Sequence, residues 1–248
     1  MLKRVLYVAL GVAACIALIL VSTSHVVAQT TEGGYKIFRP KGPGPHPAVV
    51  FGCGCNGFAP VFAPKHYELV AEKFRAKGYV VVFADYLGRR GKSCLQVTSS
   101  EAAGDLVEAA AWLKSQPSID SARITAIGWS WGGGAVLDAI NEFTTEQLIF
   151  SRAIVYYSGC RFPPFKVPVL MLMGDEDDAM PSTACQEAAK KGTIPDGVKV
   201  VIYPGARHCF DMSELPPKTR YGFGTMGYHP QAAAAAWEEI QRFLQSAK

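Results

Sequence analysis

At 248 residues, with 49% hydrophobic and 19% charged side chains, the chain has room for one large domain with a substantial core, and disordered and fibrous classes are excluded. Its formal charge of +4 is mild and dispersed, with no basic run beyond Arg89-Arg90 and Lys190-Lys191. No nucleic-acid partner is expected from such a distribution.

The first element is a targeting segment. Lys3-Arg4 supplies a positive start, Val5 to Val21 is nearly all apolar, and Val26-Val27-Ala28 offers a small-residue cleavage site before Gln29. The expectation is a secretory signal peptide over residues 1–28 and one domain over 29–248, with no stable membrane insertion after cleavage. An uncleaved N-terminal membrane anchor is the alternative. Of the 7 cysteines, all but Cys15 lie beyond the signal. An even number in an exported chain points to disulfides. No second pair of zinc-like spacing follows Cys53-Gly54-Cys55, so no metal site is expected.

Tyr35 to Phe38 is a short strand, followed by the turn-rich Pro40 to Pro45 and a second strand over His46 to Phe51. That strand runs into the glycine-rich loop Gly52-Cys53-Gly54-Cys55-Asn56-Gly57. Lys65 to Lys77 has helical spacing, and Tyr79 to Ala84 is an uninterrupted apolar run suited to a parallel strand covered on both faces. A helix over Ser99 to Gln116 leads to the strand Arg123 to Ile127. Further strands are expected over Ala153 to Tyr157, Val167 to Met173 and Val198 to Tyr203, with helices over Pro181 to Lys191 and Pro230 to Ser246. The alternation specifies a single α/β domain with a doubly wound, mostly parallel sheet and helices on both faces. Chemistry in such sheets gathers beyond the strands' C-terminal ends.

The centre of the chain is Gly128-Trp129-Ser130-Trp131-Gly132, a G-x-S-x-G pattern between a strand and the helix beginning near Ala135. The turn it implies is so sharp that only glycine fits two residues either side of the serine, and it lifts the serine hydroxyl clear of the sheet. A serine nucleophile needs a base and an oriented acid, ordered on this architecture as nucleophile, acid, histidine. His208 follows the last strand and is the candidate base. His25 lies in the signal, His46 opens a strand, His66 precedes the serine in the chain, and His229 leads the last helix. The acid is expected in Gly174-Asp175-Glu176-Asp177-Asp178, where spacing alone does not choose among the three aspartates.

Three motifs taken together, Gly128 to Gly132, Gly174-x-x-Asp177-Asp178-x-x-Pro181 and Tyr203-Pro-Gly-Ala-x-His208-x-Phe210, resemble the dienelactone hydrolase family of α/β-hydrolases. The likeness runs roughly from Pro47 to Leu244. It implies an α/β-hydrolase fold and makes Asp177 the acid of a Ser130–His208–Asp177 triad. Two departures stand out. The best-known members use cysteine where this chain has Ser130. They also hold a substrate carboxylate with two arginines; Arg89, or Arg90 by a one-residue shift, falls at one of those positions, and Met212 stands at the other.

The expected activity is hydrolysis of a small carboxylic ester or lactone by an exported serine esterase, with no cofactor. The oxyanion would be held by backbone N–H groups of Trp131 and of the Gly52 to Cys55 loop, with Cys53 as the donor. Arg89 and Trp129 are candidate substrate-binding residues, although Trp129 and Trp131 also suit packing of the elbow. Met212 to Tyr228 is long for a connection and could cover the site or be a surface loop. A Cys160–Cys185 disulfide is expected from neighbouring strand ends, and Cys53–Cys94 and Cys55–Cys209 are the remaining pairings. Alternatives on the same fold are an inactive binding module, or a peptidase, acyltransferase or polyester hydrolase using the same triad.

Overall fold

In the computed structural model, which describes residues 29–143 and 149–246, the apolar runs become the middle of an eight-stranded sheet. The strands are β1 (Gln29–Glu32), β2 (Tyr35–Phe38), β3 (His46–Gly52), β4 (Val80–Phe83), β5 (Ile119–Trp129), β6 (Arg152–Tyr156), β7 (Val169–Gly174) and β8 (Val198–Tyr203), in the order β1-β2-β4-β3-β5-β6-β7-β8. β1 and β2 pair antiparallel at one edge; β4, β3, β5, β6, β7 and β8 run parallel. All of β4 and β7 is buried, as continuous apolar runs in a doubly covered sheet should be. The helices are α1 (His66–Ala76), α2 (Ser99–Lys114), α3 (Trp131–Glu142), α4 (Thr183–Lys191) and α5 (Pro230–Gln245). The strand before the elbow is longer than its apolar run, beginning at Ile119, and the following helix starts at Trp131 rather than near Ala135.

Capping follows the side-chain chemistry. Thr98 accepts the N–H of Glu101 while the Glu101 carboxylate accepts that of Thr98, closing the start of α2 from both sides. Pro230 opens α5, where the Nδ1 of His229 accepts the Ala232 N–H at 3.2 Å. His229 is therefore a helix cap.

The segment Met212 to Tyr228 carries a small hairpin, β9 (Thr219–Tyr221) with β10 (Gly224–Met226). It packs on the loops at the C-terminal ends of the sheet. Gly227 donates to the carbonyl of His208 at 3.1 Å, and Met226 bridges to His208. Three of its residues, Met212, Phe223 and Met226, line the pocket that also holds Ser130 and His208. No helix among the described residues is long and apolar enough to cross a membrane; the targeting segment expected over residues 1–28 lies outside the described residues.

Cys160 and Cys185 are joined as expected, with Cα atoms 5.4 Å apart. The other pairings are corrected: Cys55 is bonded to Cys94 (Cα–Cα 5.0 Å), while Cys53 and Cys209 are free and buried. Cys53 directly follows β3, with its side chain enclosed by the core. Cys55 lies two residues further on, in the turn that comes alongside the Cys94 turn. A reading of loops in chain order cannot tell these neighbours apart.

Candidate active site

β5 ends at Trp129, and the chain reverses at Ser130 into α3. Ser130 has φ 53° and ψ −122°, a conformation a non-glycine residue adopts only when its surroundings enforce it. Those surroundings are close-packed. A Cβ on Gly128 would strike the Gly132 carbonyl, and one on Gly132 would strike the carbonyls of Gly52 and Cys53. The Ser130 N–H donates to the Tyr156 carbonyl at 2.9 Å, and its own carbonyl accepts from Gly133 and Gly134 at 2.9 and 3.2 Å. The hydroxyl is thus held at the head of α3 by backbone on both sides.

His208 follows β8, and its Nε2 lies 2.9 Å from Ser130 Oγ. Its Nδ1 lies 2.8 Å from Asp177 Oδ2. The side chains of His208 and Asp177 are 1% and 0% exposed, so bulk water does not compete for this contact. The other oxygen of Asp177 accepts the N–H groups of Ala179 and Met180 at 2.9 and 2.8 Å, which fixes the carboxylate plane. The neighbouring aspartates have different partners. Asp175 accepts from the Gly205 N–H at 2.6 Å, tying together the loops after β7 and β8. Asp178 accepts from the backbone and hydroxyl of Thr225 at 2.6 and 2.9 Å; those bonds hold its pKa below the usual value and anchor the hairpin.

Above Ser130 is a cleft whose walls include Gly54, Cys55, Phe62, Met212, Phe223 and Met226. Phe223, at the hairpin turn, has its ring edge-on to His208 at 5.9 Å. No lysine or arginine lines the cleft among the described residues. Trp131 begins α3, and its ring is 5.4 Å from that of Tyr86. Cys53 is not part of the cleft wall, and its carbonyl takes the Tyr86 hydroxyl hydrogen bond.

Arg89 is not brought to the site. Its guanidinium lies over the Tyr35 ring at 5.4 Å and 3.7 Å from Glu108, because the short turn Gly88–Arg90 directs the side chain back over β2 and α2. Arg90 is held by the Asp105 carboxylate and the Tyr86 carbonyl. The Trp129 side chain is fully buried in the elbow, where its Nε1–H donates to Asp211 at 2.9 Å, and the residue also lines the cleft.

Asp211 was not foreseen. Its carboxylate also accepts the Tyr157 hydroxyl at 2.8 Å and lies 3.4 Å from the Nε2 of His66. The available signal was an acid inside the otherwise apolar run Cys209-Phe210-Asp211-Met212, since a charge in such a run needs buried partners.

Comparison with known proteins places this geometry among relatives. Residues 34–248 match the model of the dienelactone hydrolase family. A Klebsiella pneumoniae protein assigned to the dienelactone hydrolases superposes with a TM-score of 0.68 at 18% identity, covering 89% of this chain and 96% of the other. Esterase 2 of Thermogutta terrifontis, solved with propionate bound, gives 0.58 at 17% identity over 87% and 91%. Lipase 1 of Moraxella is 31% identical over 91 residues, 37% of this chain and 28% of that protein, so the chain spans less than a third of that relative's length.

Proposed function

The chain belongs to the dienelactone hydrolase family, and from that premise we propose that it hydrolyses a small, neutral carboxylic ester through Ser130, His208 and Asp177. One observation carries the reading: an uninterrupted relay from Ser130 Oγ to His208 Nε2 at 2.9 Å and from His208 Nδ1 to Asp177 at 2.8 Å. A hydroxyl in that relay loses its proton to the imidazole as it attacks the ester carbonyl. The buried carboxylate fixes the ring orientation and stabilises the imidazolium. The alcohol departs with the proton His208 returns. Water then cleaves the acyl-enzyme with the same histidine as base.

The developing oxyanion is assigned to the N–H of Trp131, at the head of α3, and a second N–H from the loop after β3. Within that loop Gly54 donates to the Tyr67 hydroxyl at 2.8 Å, and Cys53 does not wall the cleft. The Cys55 N–H, on the cleft wall and without an acceptor among the described residues, is the donor proposed in place of Cys53.

The apolar wall favours a neutral acyl group. With Arg89 paired to Glu108 and Met212 buried in the wall, a substrate carboxylate meets no cation of the cleft wall among the described residues, so neutral esters are preferred over anionic lactones. The two disulfides fit an exported protein. Fluorophosphonate labelling tests the assignment: the wild-type protein should be labelled at Ser130 and should cleave p-nitrophenyl acetate. A folded protein inert in both assays removes the hydrolase reading.

A further inference from the structure

Directly behind the elbow lies a second buried acid that the triad does not use. The side chain of Asp211 is 7% exposed and stands three residues after His208 on the same loop. Its two oxygens are shared between different segments. One accepts the Nε1–H of Trp129, the residue before Ser130, at 2.9 Å. The other accepts the hydroxyl of Tyr157, the residue after β6, at 2.8 Å.

Both partners bear on the catalytic pair. Trp129 is the last residue of β5, so its position sets where the elbow turns. The Tyr157 ring lies 4.7 Å from the ring of His208, and the carbonyl of the adjacent Tyr156 receives the Ser130 N–H. Burial raises the Tyr157 pKa well above the usual phenol value, with Asp211 reinforcing the effect, so the hydroxyl stays a donor. His66, on α1, is the third neighbour, at 3.4 Å from the carboxylate; its Nε2 makes no hydrogen bond among the described residues.

We propose that Asp211 is a positioning residue: its carboxylate clips the nucleophile elbow, the end of β6 and the histidine loop together, holding His208 Nε2 within hydrogen-bond reach of Ser130 Oγ. The proposal rests on the triad reading above. Its effect belongs chiefly in kcat, because Asp211 itself lies behind the cleft wall, of which Trp129 and Tyr157 form part, and acts by aligning the reacting groups. Small misplacements of reacting groups are costly, up to about 100-fold for roughly 1 Å.

Asparagine distinguishes clip from charge. An amide at this position can accept from Trp129 through its oxygen and donate to the Tyr157 oxygen through its nitrogen, since a phenol oxygen both donates and accepts. Asp211→Asn should therefore keep kcat within about fivefold of wild type, whereas Asp211→Ala should lose roughly 10- to 100-fold with KM changed less than about threefold. Tyr157→Phe removes one hydrogen bond without changing shape and should lose about tenfold in kcat. It is the decisive variant if Asp211→Ala does not fold. The rate of fluorophosphonate labelling at Ser130 should fall in step with kcat.

Wild-type kcat in folded Tyr157→Phe, or in folded Asp211→Ala, overturns the clip while labelling of the wild type leaves the triad standing. An Asp211→Asn protein as slow as the alanine variant also overturns it, because charge alone would then account for the loss. A wild-type protein that fluorophosphonate does not label brings down the triad reading, and the clip with it.

Discussion

The Nε2 of His208 stands 2.9 Å from the Oγ of Ser130, although 78 residues separate them in the chain. The contact is made because β5 and β8 are parallel strands of one sheet and both end at the same rim. If this contact is the working one, Ser130→Ala and His208→Ala should each lower kcat by roughly 10⁴-fold or more, with circular dichroism unchanged. Asp177→Asn should cost about 10⁴-fold, because an amide no longer selects the productive tautomer. Steady-state assays on p-nitrophenyl acetate measure all three; an Asp177→Asn protein at wild-type rate would exclude Asp177 as the acid.

The elbow depends on an absent side chain. Gly132 sits where a methyl group would meet the carbonyls of Gly52 and Cys53 and the Tyr86 hydroxyl. Gly132→Ala should destabilise the fold by about 1–3 kcal/mol through overpacking, and should separate α3 from the loop after β3. Gly134, with open space at its Cβ position, is the internal control. Urea denaturation of the two alanine variants should give a large loss for Gly132 and a small effect for Gly134.

This contrast explains how far the sequence could be read. The elbow was legible because glycine at 128 and 132 is a backbone requirement, and parallel strands announce themselves as unbroken apolar runs. The acid was harder: Asp175, Asp177 and Asp178 are equivalent by spacing and differ only in what faces them, namely the Gly205 N–H, His208 and Thr225. Arg89 was misplaced because the direction of a side chain on a three-residue turn depends on Tyr35 and Glu108, which lie far away in sequence. The hairpin β9–β10 has three-residue strands, too short for an alternating pattern to register. Asp211 stood out only as an acid in an apolar run; its role stayed hidden because its partners, Trp129, Tyr157 and His66, meet only in the folded chain.

The free thiols of Cys53 and Cys209 are buried, and burial pushes both well above the usual thiol pKa. Both should resist Ellman's reagent in the native protein and react once it is unfolded in urea. The sign for stability follows. The folded state keeps these protons while the unfolded chain releases them above about pH 8.5. Stability is therefore full below that pH and declines above it, by about 1.4 kcal/mol per pH unit for each thiol. Urea titrations at pH 7.5 and 9.5 should show the decline, and a Cys53→Ala, Cys209→Ala protein should show a shallower one. Equal slopes in the two proteins would exclude the thiols as its source.

The disulfides close loops with sequence separations of 25 and 39 residues. Loop-closure entropy gives each about 3–4 kcal/mol of stabilisation. They should differ in effect on activity. Cys55 is part of the cleft wall and carries the proposed oxyanion N–H, whereas the Cys160–Cys185 bridge joins the loop after β6 to α4. Cys160→Ser, Cys185→Ser should therefore lower the melting temperature and leave kcat near wild type at 20 °C. Cys94→Ser, which frees the Cys55 loop, should lower both. Identical kcat in the two variants would argue against any role for the Cys55 loop in the reaction.

Phe223 is placed where its removal should change how long an acyl chain fits. It is half exposed at the turn between β9 and β10, with its ring 5.9 Å from that of His208, and lines the cleft. The hairpin beneath it is held by Asp178, so trimming the side chain should leave the backbone in place. Phe223→Ala removes a ring from the cleft wall. Longer acyl groups gain space they lack in the wild type, while acetate, which does not reach the ring, loses little. Each buried methylene contributes about 0.8 kcal/mol. Relief of a steric block over two methylenes should therefore raise the hexanoate-to-acetate ratio of kcat/KM by roughly tenfold. A p-nitrophenyl ester series from acetate to octanoate measures the ratio directly; an unchanged chain-length profile would place the acyl group elsewhere in the cleft.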